Sequence, residues 1–334
     1  MVESTVHKLE PRIFYYTFGP NEPALTVKSG DTVVARTRDA GGFNEKMEPM
    51  PEEMKQHNDA TLLCERNPQV GPVYIEEVEP GDILSVTIQQ IKLNREHAWS
   101  RHRSHFGSLT GEGPGKQLFL NEPVPEAKFD WHLDLTNNTG TLELKSSKQK
   151  RIEIPLHPFL GSIGVAPRFG RVETSLVPGE FGGNMDCVET REGSILYLPV
   201  WVRGAYFSFG DVHAAQGDGE LCGVALETTA EVAVKLDVLK EKSIDWPRIE
   251  DRTHIMTTGS GQPLMDCVRI ATVELVKWLV DDYGFEKWEA FQVISQAGTM
   301  RIGNVVDPNY TVVAKFPKKY LPANKPSGED HFKQ

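Results

Sequence analysis

Cysteine is scarce in this chain. Cys64, Cys187, Cys222 and Cys267 are the only four in 334 residues, and they are widely scattered. That spacing gives neither a disulfide framework nor a CxxC metal knuckle, so four buried free thiols are expected. Long apolar runs are missing too: every hydrophobic stretch is broken by charge well before the ~18 residues that a transmembrane helix needs. Met1 to Pro11 carries Glu3, Lys8 and Glu10 and no uninterrupted apolar segment, unlike a signal peptide, so the expected location is the cytoplasm. Basic residues are in deficit, 36 Lys and Arg against 47 Asp and Glu, for a formal net charge of -11. Such a chain repels phosphate backbones and anionic lipid surfaces, so neither nucleic acid nor membrane is an expected partner. What is present, 39% hydrophobic and 25% charged residues, is the composition of a globular protein.

From about residue 10 to 235, short alternating apolar runs are punctuated by Gly, Pro, Asn and Asp, the pattern of antiparallel sheets. A strand, a Gly-centred turn and a second strand recur. The first copy is Leu25 to Val27, Ser29-Gly30-Asp31, then Val33 onward; the next is Val73 to Ile75, Pro80-Gly81-Asp82, then Leu84, Val86 and Ile88 on one face. A looser copy places Glu192-Gly193-Ser194 before Ile195 to Leu198. Glycine accepts the positive φ of such turns, and the Asp or Ser beside it bonds the local backbone. Irregular spacing between copies argues against a solenoid and for a β-sandwich or jelly roll. The period then changes: Leu264, Cys267, Val268, Ala271, Leu275 and Leu279 recur at helical spacing. Glu286 to Gln296 suggests a second short helix, Val305 to Lys315 a closing strand, Glu45 to Asp59 a surface loop or insertion, and Pro322 to Gln334 a loose polar tail. The expected fold is mainly β, with a β-rich core over residues 1–235 and a smaller α+β part over 236–334 packed on it.

Chemistry concentrates in FGDVHAAQGDGE, where Asp211, His213, Gln216, Asp218 and Glu220 are interleaved with Gly210, Gly217 and Gly219. On an extended chain, Asp211 and His213 project from one side, where a carboxylate and an imidazole can share a cation. The glycines beyond allow Asp218 and Glu220 to turn back toward the same point; the plainer reading is a solvated turn. Upstream, GEFGGNMDC sets Asn184 and Asp186 behind a glycine-rich approach, as an oxyanion donor and a metal ligand or proton acceptor, or as a simple Asx turn. Glu227 lies in an apolar run, Cys222 to Thr229, read as a strand. A carboxylate there is costly to bury without a partner, which marks it as a ligand or general base. His97 to Lys116 reads as a solvated basic loop, and TGEGPGKQ within it departs from a phosphate-binding loop at Thr110 and Gln117. A Cys187 nucleophile lacks a neighbouring lysine or histidine to activate it.

Asn67 to Val86, His157 to Pro167, FGGNMDC, Leu196 to Glu220 and CGVALET (Cys222 to Thr228) together resemble the acetamidase/formamidase family. The combination of GGNMD with GDVHAAQGDGE makes the resemblance specific. It implies hydrolysis of formamide, acetamide or similar amides to a carboxylate and ammonia, with lactams as a wider substrate class. It also implies a divalent metal, zinc, and assembly as a homo-oligomer. On the chemistry of the residues themselves, the expected metal ligands are His213 with Asp211 or Asp186, Glu227 or Glu220 moves the proton, and Asn184 holds the oxyanion. Asp218 joins these as a further catalytic candidate, and a noncatalytic sandwich binding a small amide or a metal is the competing class.

Overall fold

The computed structural model describes residues 4–57, 66–104, 106–109, 124–240 and 242–322. Along the strand Ala230–Leu239, buried Ala230, Val232, Val234 and Leu236 alternate with Glu231, Ala233, Lys235 and Asp237. This period of two is what a sheet with one covered face requires. The strand pairs antiparallel with Thr32–Arg36 on one side and Ile83–Leu93 on the other, inside a nine-stranded sheet. A six-stranded sheet faces it, in the order Pro178–Gly179, Gly182–Asn184, Phe159–Gly164, Phe207–His213, Gln69–Ile75 and Leu25–Val27. Phe207, Phe209, Val70 and Ile163 from the smaller sheet meet Val33, Val86, Val234 and Leu236 from the larger in one apolar core. The expected β-sandwich is therefore present.

The recurring strand, turn and strand units are arches between the two layers. Leu25–Val27, Gln69–Ile75 and Gly182–Asn184 lie in the six-stranded sheet, while the strands that follow them, Thr32–Arg36, Ile83–Leu93 and Ile195–Pro199, lie in the nine-stranded one. A third sheet of four strands, His97–His102, Ala127–Asp134, Thr139–Glu143 and Arg151–Pro155, forms an antiparallel meander. The basic segment expected as a solvated loop thus begins as a strand, with Ala98 and Trp99 buried; its residues 105 and 110–116 lie outside the described set. In the supposed surface insertion, Met50 and Gln56 are buried, and Gln56 Oε1 accepts a hydrogen bond from the Tyr16 backbone N–H at 2.8 Å.

The helical periodicity is borne out by α1 (Leu264–Tyr283), whose Cys267, Ala271, Leu275 and Leu279 pack on the C-terminal strands of the nine-stranded sheet. Gly284 ends it in a left-handed conformation, φ 71°. Glu286 caps α2 (Lys287–Ala297) by accepting from the N–H groups of Trp288 and Glu289. The single closing strand is instead two, Thr299–Asn304 and Tyr310–Pro317. They are split where the Asn304 side chain accepts from the backbone N–H groups of Val306 and Asp307. The boundary expected between residues 235 and 236 falls inside Ala230–Leu239, and the C-terminal strands extend that same sheet. Among the described residues no helix is long and apolar enough to cross a membrane.

The α1 contact depends on the absence of a side chain at Gly259, in the strand His254–Gly261. A Cβ there would stand 2.4 Å from the Cys267 carbonyl oxygen and 2.7 Å from the Ala271 nitrogen. Gly259→Ala is expected to lower stability by about 1–3 kcal/mol through overpacking, read as a lower urea midpoint at constant m-value. An unmoved midpoint would show that the helix has room to shift.

Candidate active site

Three adjacent strands of the six-stranded sheet form the floor of the site. Phe207–His213 brings Asp211 and His213, and Phe159–Gly164 places Gly161 between the pairs Leu160↔Val212 and Ser162↔Gly210. Gly182–Asn184 pairs on its other side and leads into Asp186. The double glycine is needed for this approach. Gly182 and Gly183 have φ of 92° and 83°, and a Cβ on either would come within 2.4 Å of a carbonyl oxygen, that of Ile163 or Val177. His213 Nε2 lies 3.3 Å from Asp211 Oδ2 and 3.4 Å from Glu227 Oε1. Asp186, His213 and Glu220 also converge, with ligand-type atoms within 4.8 Å of one another. All five side chains are buried, and Phe159 packs edge-on against the His213 ring at 5.1 Å.

Glu227 reaches the cluster by a route other than the expected strand. Residues 222–229 turn at Gly223, φ 74°, and Glu227 makes single-residue bridges to Trp99 and His213. Its carbonyl also accepts from Arg95 Nη2 at 3.2 Å, and that guanidinium is buried against Asp39 at 2.8 Å.

Asp218 is not brought into the carboxylate cluster, although it lines the neighbouring pocket. It sits exposed at the tip of the GDG turn, where Arg301 Nε donates to it at 2.8 Å, because Gly219 (φ 84°) and Glu220 (φ 49°) reverse the chain after it. Asn184 is in the site but is not available to an oxyanion. Its Nδ2 donates to Asp186 Oδ2 at 3.3 Å and to Asp307 Oδ2 at 2.8 Å, while its Oδ1 accepts from Asn67 and Ser162. Asn67 and Asp307 were not singled out in the sequence. Asn67 Nδ2 also reaches Asp211 Oδ2 at 3.0 Å, and Asp307 is buried beside Asn184. Neither stands in a motif; the one cue for Asp307 is the Asn-X-X-Asp turn signal at Asn304.

Backbone strain gathers here. Asn67, Asp186, Asp211 and Glu220 are four of the ten described non-glycine residues with positive φ, at 53°, 49°, 54° and 49°. Such conformations cost roughly 1–2 kcal/mol each and persist where the surroundings over-determine them.

Burial sets the protonation of the cluster. It raises the Asp186 carboxyl far above its usual range, assisted by the Glu220 and Asp307 carboxyls. It raises Glu220 likewise, against the pull of His213. Glu227 is pushed by burial to about 8, with His213 opposing, and Asp307 is pushed by burial to about 7. For His213 burial opposes the charge, but the Glu227 and Asp211 carboxylates outweigh it and lift the ring to about 10.

A cation fits this arrangement. Asp186 Oδ1, Asp211 Oδ1 and Glu227 Oε2 are buried with no hydrogen-bond partner among the described residues, a costly state for carboxylate oxygens. Gly161 leaves the space: a Cβ there would stand 2.8 Å from Asp186 Oδ1, Asp211 Oδ2 and His213 Cε1 alike. Above the cluster opens a pocket of about 280 Å³ whose wall includes Phe129, Ala215, Leu221, Val224 and Leu226; Gln216 and Glu220 line it too. Among the described residues the thiols play no visible part, and Cys64 lies outside them. Cys187 is buried and its pKa is raised by burial, Cys267 is buried, and Cys222 is exposed, contrary to expectation, on the turn beside the pocket.

A model of the acetamidase/formamidase family matches residues 15–174 and 168–321. The chain belongs to that family. A solved acetamidase from Yersinia enterocolitica is similar at 37% identity and a TM-score of 0.82, over 96% of this chain and 94% of that one. The acetamidase of Mycolicibacterium smegmatis is 43% identical over 221 residues, covering 51% of this chain and 53% of the relative. The formamidase of Methylophilus methylotrophus is 25% identical over 223 residues, 51% of each. The chain thus aligns with only about half the length of these two named relatives. In this acetamidase/formamidase chain, the two segments that make the resemblance specific, GGNMD and GDVHAAQGDGE, meet at Gly161.

Two tests follow from the charge state. Glu227 and Asp307 hold protons in the folded chain up to about 8 and about 7, against ordinary values of 4.5 and 3.8. The native state therefore binds more protons than the unfolded one across that window. Stability of the metal-free chain is expected to fall as pH rises from about 5 to 8, measured as melting temperature; a rise over that range would contradict the protonated cluster. Gly161→Ala, by filling the cradle, is expected to fold but to lose any melting-temperature gain on adding zinc, and a retained gain would move the cation elsewhere.

Proposed function

We propose that this chain hydrolyses small primary carboxamides, RCONH2 + H2O giving RCOOH + NH3, with a divalent cation at His213. Support comes chiefly from one observation: Asp186, Asp211, His213, Glu220 and Glu227 converge in a buried cluster with unsatisfied carboxylate oxygens, in a chain of a family whose named relatives are amidases. His213 Nε2 with Asp211, Asp186 and Glu227 would hold the cation. One imidazole among carboxylates suits zinc, and the oxygen-rich set admits manganese. Bound there, the cation supplies Lewis acidity, polarising a carbonyl and lowering the pKa of water.

The residues of the chain do the rest. Glu220 belongs both to the cluster and to the pocket wall, so it meets substrate and takes the proton of the attacking water. The same group returns that proton to the amide nitrogen, which leaves as ammonia. To take that proton Glu220 must be ionised; burial raises its carboxyl, and a cation at His213 would draw it back down toward the range that suits general acid–base transfer. Glu227, its backbone anchored by Trp99 and Arg95, would present its carboxylate to the same cation. Asn184, with both N–H bonds engaged, ties Asp186 and Asp307 into one hydrogen-bonded group.

The pocket bears on the substrate. At about 280 Å³ it exceeds what formamide fills, a water molecule's share of liquid volume being about 30 Å³. Its apolar wall favours a longer acyl chain, each buried methylene being worth about 0.8 kcal/mol, or roughly fourfold.

The test is ammonia release from formamide, acetamide, propionamide, butyramide and a small lactam, before and after chelation and after zinc is restored. Expected are activity that chelation removes and zinc restores, a kcat/KM that climbs about fourfold per methylene from acetamide to butyramide, and loss of at least 100-fold in kcat for Glu220→Gln. Release indifferent to chelation in protein free of metal by elemental analysis would overturn the cation, and no release from any amide would overturn the hydrolase.

A further inference from the structure

We propose that Gln216 is a positioning residue that dictates which nitrogen of His213 faces the carboxylates, and thereby makes the cluster a cation site. The inference rests on the proposed cation for its consequence, but the hydrogen bonds behind it stand by themselves. Gln216 Nε2 lies 3.0 Å from the Asp186 carbonyl oxygen and 3.0 Å from the Gly303 carbonyl oxygen. Both of those oxygens can only accept, so the NH2 end of the amide must face them. The opposite end is then its oxygen, and Gln216 Oε1 lies 3.0 Å from His213 Nδ1. Since Oε1 can only accept, Nδ1 must carry the hydrogen. Reversing the amide would set an oxygen against two carbonyl oxygens, so the three contacts admit one orientation.

A neutral imidazole has a single N–H. With it committed at Nδ1, the Nε2 lone pair faces Asp211 Oδ2 at 3.3 Å and Glu227 Oε1 at 3.4 Å. Lone pair against two carboxylate oxygens is repulsive unless a positive centre lies among them. The other neutral tautomer would place N–H at Nε2, satisfy both carboxylates internally and leave no ligand atom. Gln216 excludes that tautomer; in the cation-free cluster the carboxylates keep the ring protonated on both nitrogens, and a cation takes the place of the hydrogen on Nε2. It also ties together three distant stretches of chain, the Asp186 turn, the His213 strand and the Gly303 strand end, so ring orientation and ligand placement are set by one amide. Because a single lone pair serves one cation, the two overlapping groups around His213 describe one site.

The experiment compares the full-length wild-type chain with Gln216→Met, which keeps length but no hydrogen bond, and Gln216→Glu, which keeps an acceptor for Nδ1–H but turns an oxygen toward the two carbonyls in place of the donors. Zinc affinity is measured by chelator competition, and the hydrogen-bonded Nδ1–H of His213 by nitrogen-15 NMR of histidine-labelled protein. Outer partners of metal-bound histidines are generally worth 10–100-fold in affinity. Gln216→Met is expected to lose that much and to lose the hydrogen-bonded Nδ1–H signal, while Gln216→Glu keeps that signal and loses less affinity than Gln216→Met. Wild-type affinity and an unchanged Nδ1–H signal in Gln216→Met would overturn the proposal. Loss of the signal in both variants would also overturn it, since the two donors to the carbonyls would then be what matters. If wild type binds no zinc, the cation reading fails, and absence of a hydrogen-bonded Nδ1–H in wild type would then refute the role of Gln216, whereas Nδ1–H lost in Gln216→Met would sustain it.

Discussion

Five carboxyl groups, Asp186, Asp211, Glu220, Glu227 and Asp307, are buried around one imidazole, and much of the sandwich is arranged to tolerate them. Removing carboxylates from water costs several kcal/mol each unless charge or hydrogen bonds compensate. Asn67 and Asn184 supply the hydrogen bonds, linking three of the five acids. His213 supplies the countercharge when it is protonated. Even so, the oxygens at the centre remain unsatisfied, so the interior either retains protons or accepts a cation. Four left-handed residues among the participants show the same constraint in the backbone: the chain gives up relaxed conformations to aim these groups inward.

The nine-stranded sheet makes that aim possible from distant parts of the chain. Arches carry it repeatedly from one layer to the other, so the six-stranded sheet collects Gly161, Asn184 and His213 on neighbouring strands. The C-terminal strands continue the larger sheet and return Asp307 and Gly303 to the same place. A detachable C-terminal part would leave Asn184 and Gln216 each without one of their partners. The continuity of the sheet across residue 235 is thus a condition of the site, beyond its contribution to the core.

What was legible in the sequence was local. Alternation revealed the strands, helical spacing revealed α1, and Asp211 and His213 are neighbours because they are two residues apart. Glu227 was legible through cost, as an acid in apolar company, although it turned out to bridge two strands where a strand of its own was expected. Asn67 and Asp307 were not legible, because they join through packing across more than a hundred residues and carry no period or motif. The placing of Asp218 was not legible for a related reason. Its Gly-Asp-Gly setting predicts a turn but not which way the turn faces, and here two successive positive φ values send Glu220 inward and leave Asp218 with Arg301. Asn184 lies beside the cluster, yet its role depends on four partners that sequence spacing does not show.

Glu220 draws the two halves of the site together. It is the acid that both the charged cluster and the apolar pocket include, and these neighbours act on it in the same direction. Apolar walls penalise its charge through desolvation, and nearby Asp307 and Glu227 penalise it through repulsion, with only His213 opposing. A positive centre at His213 would relieve the repulsion but leave the desolvation. Its proton affinity then depends on whether water or an acyl group fills the pocket, because water stabilises the carboxylate and an acyl group does not. On the proposed mechanism, substrate entry would thereby make Glu220 a stronger base toward the attacking water, so the apolar part of the wall that would bind the acyl chain would also prepare the proton transfer beside it.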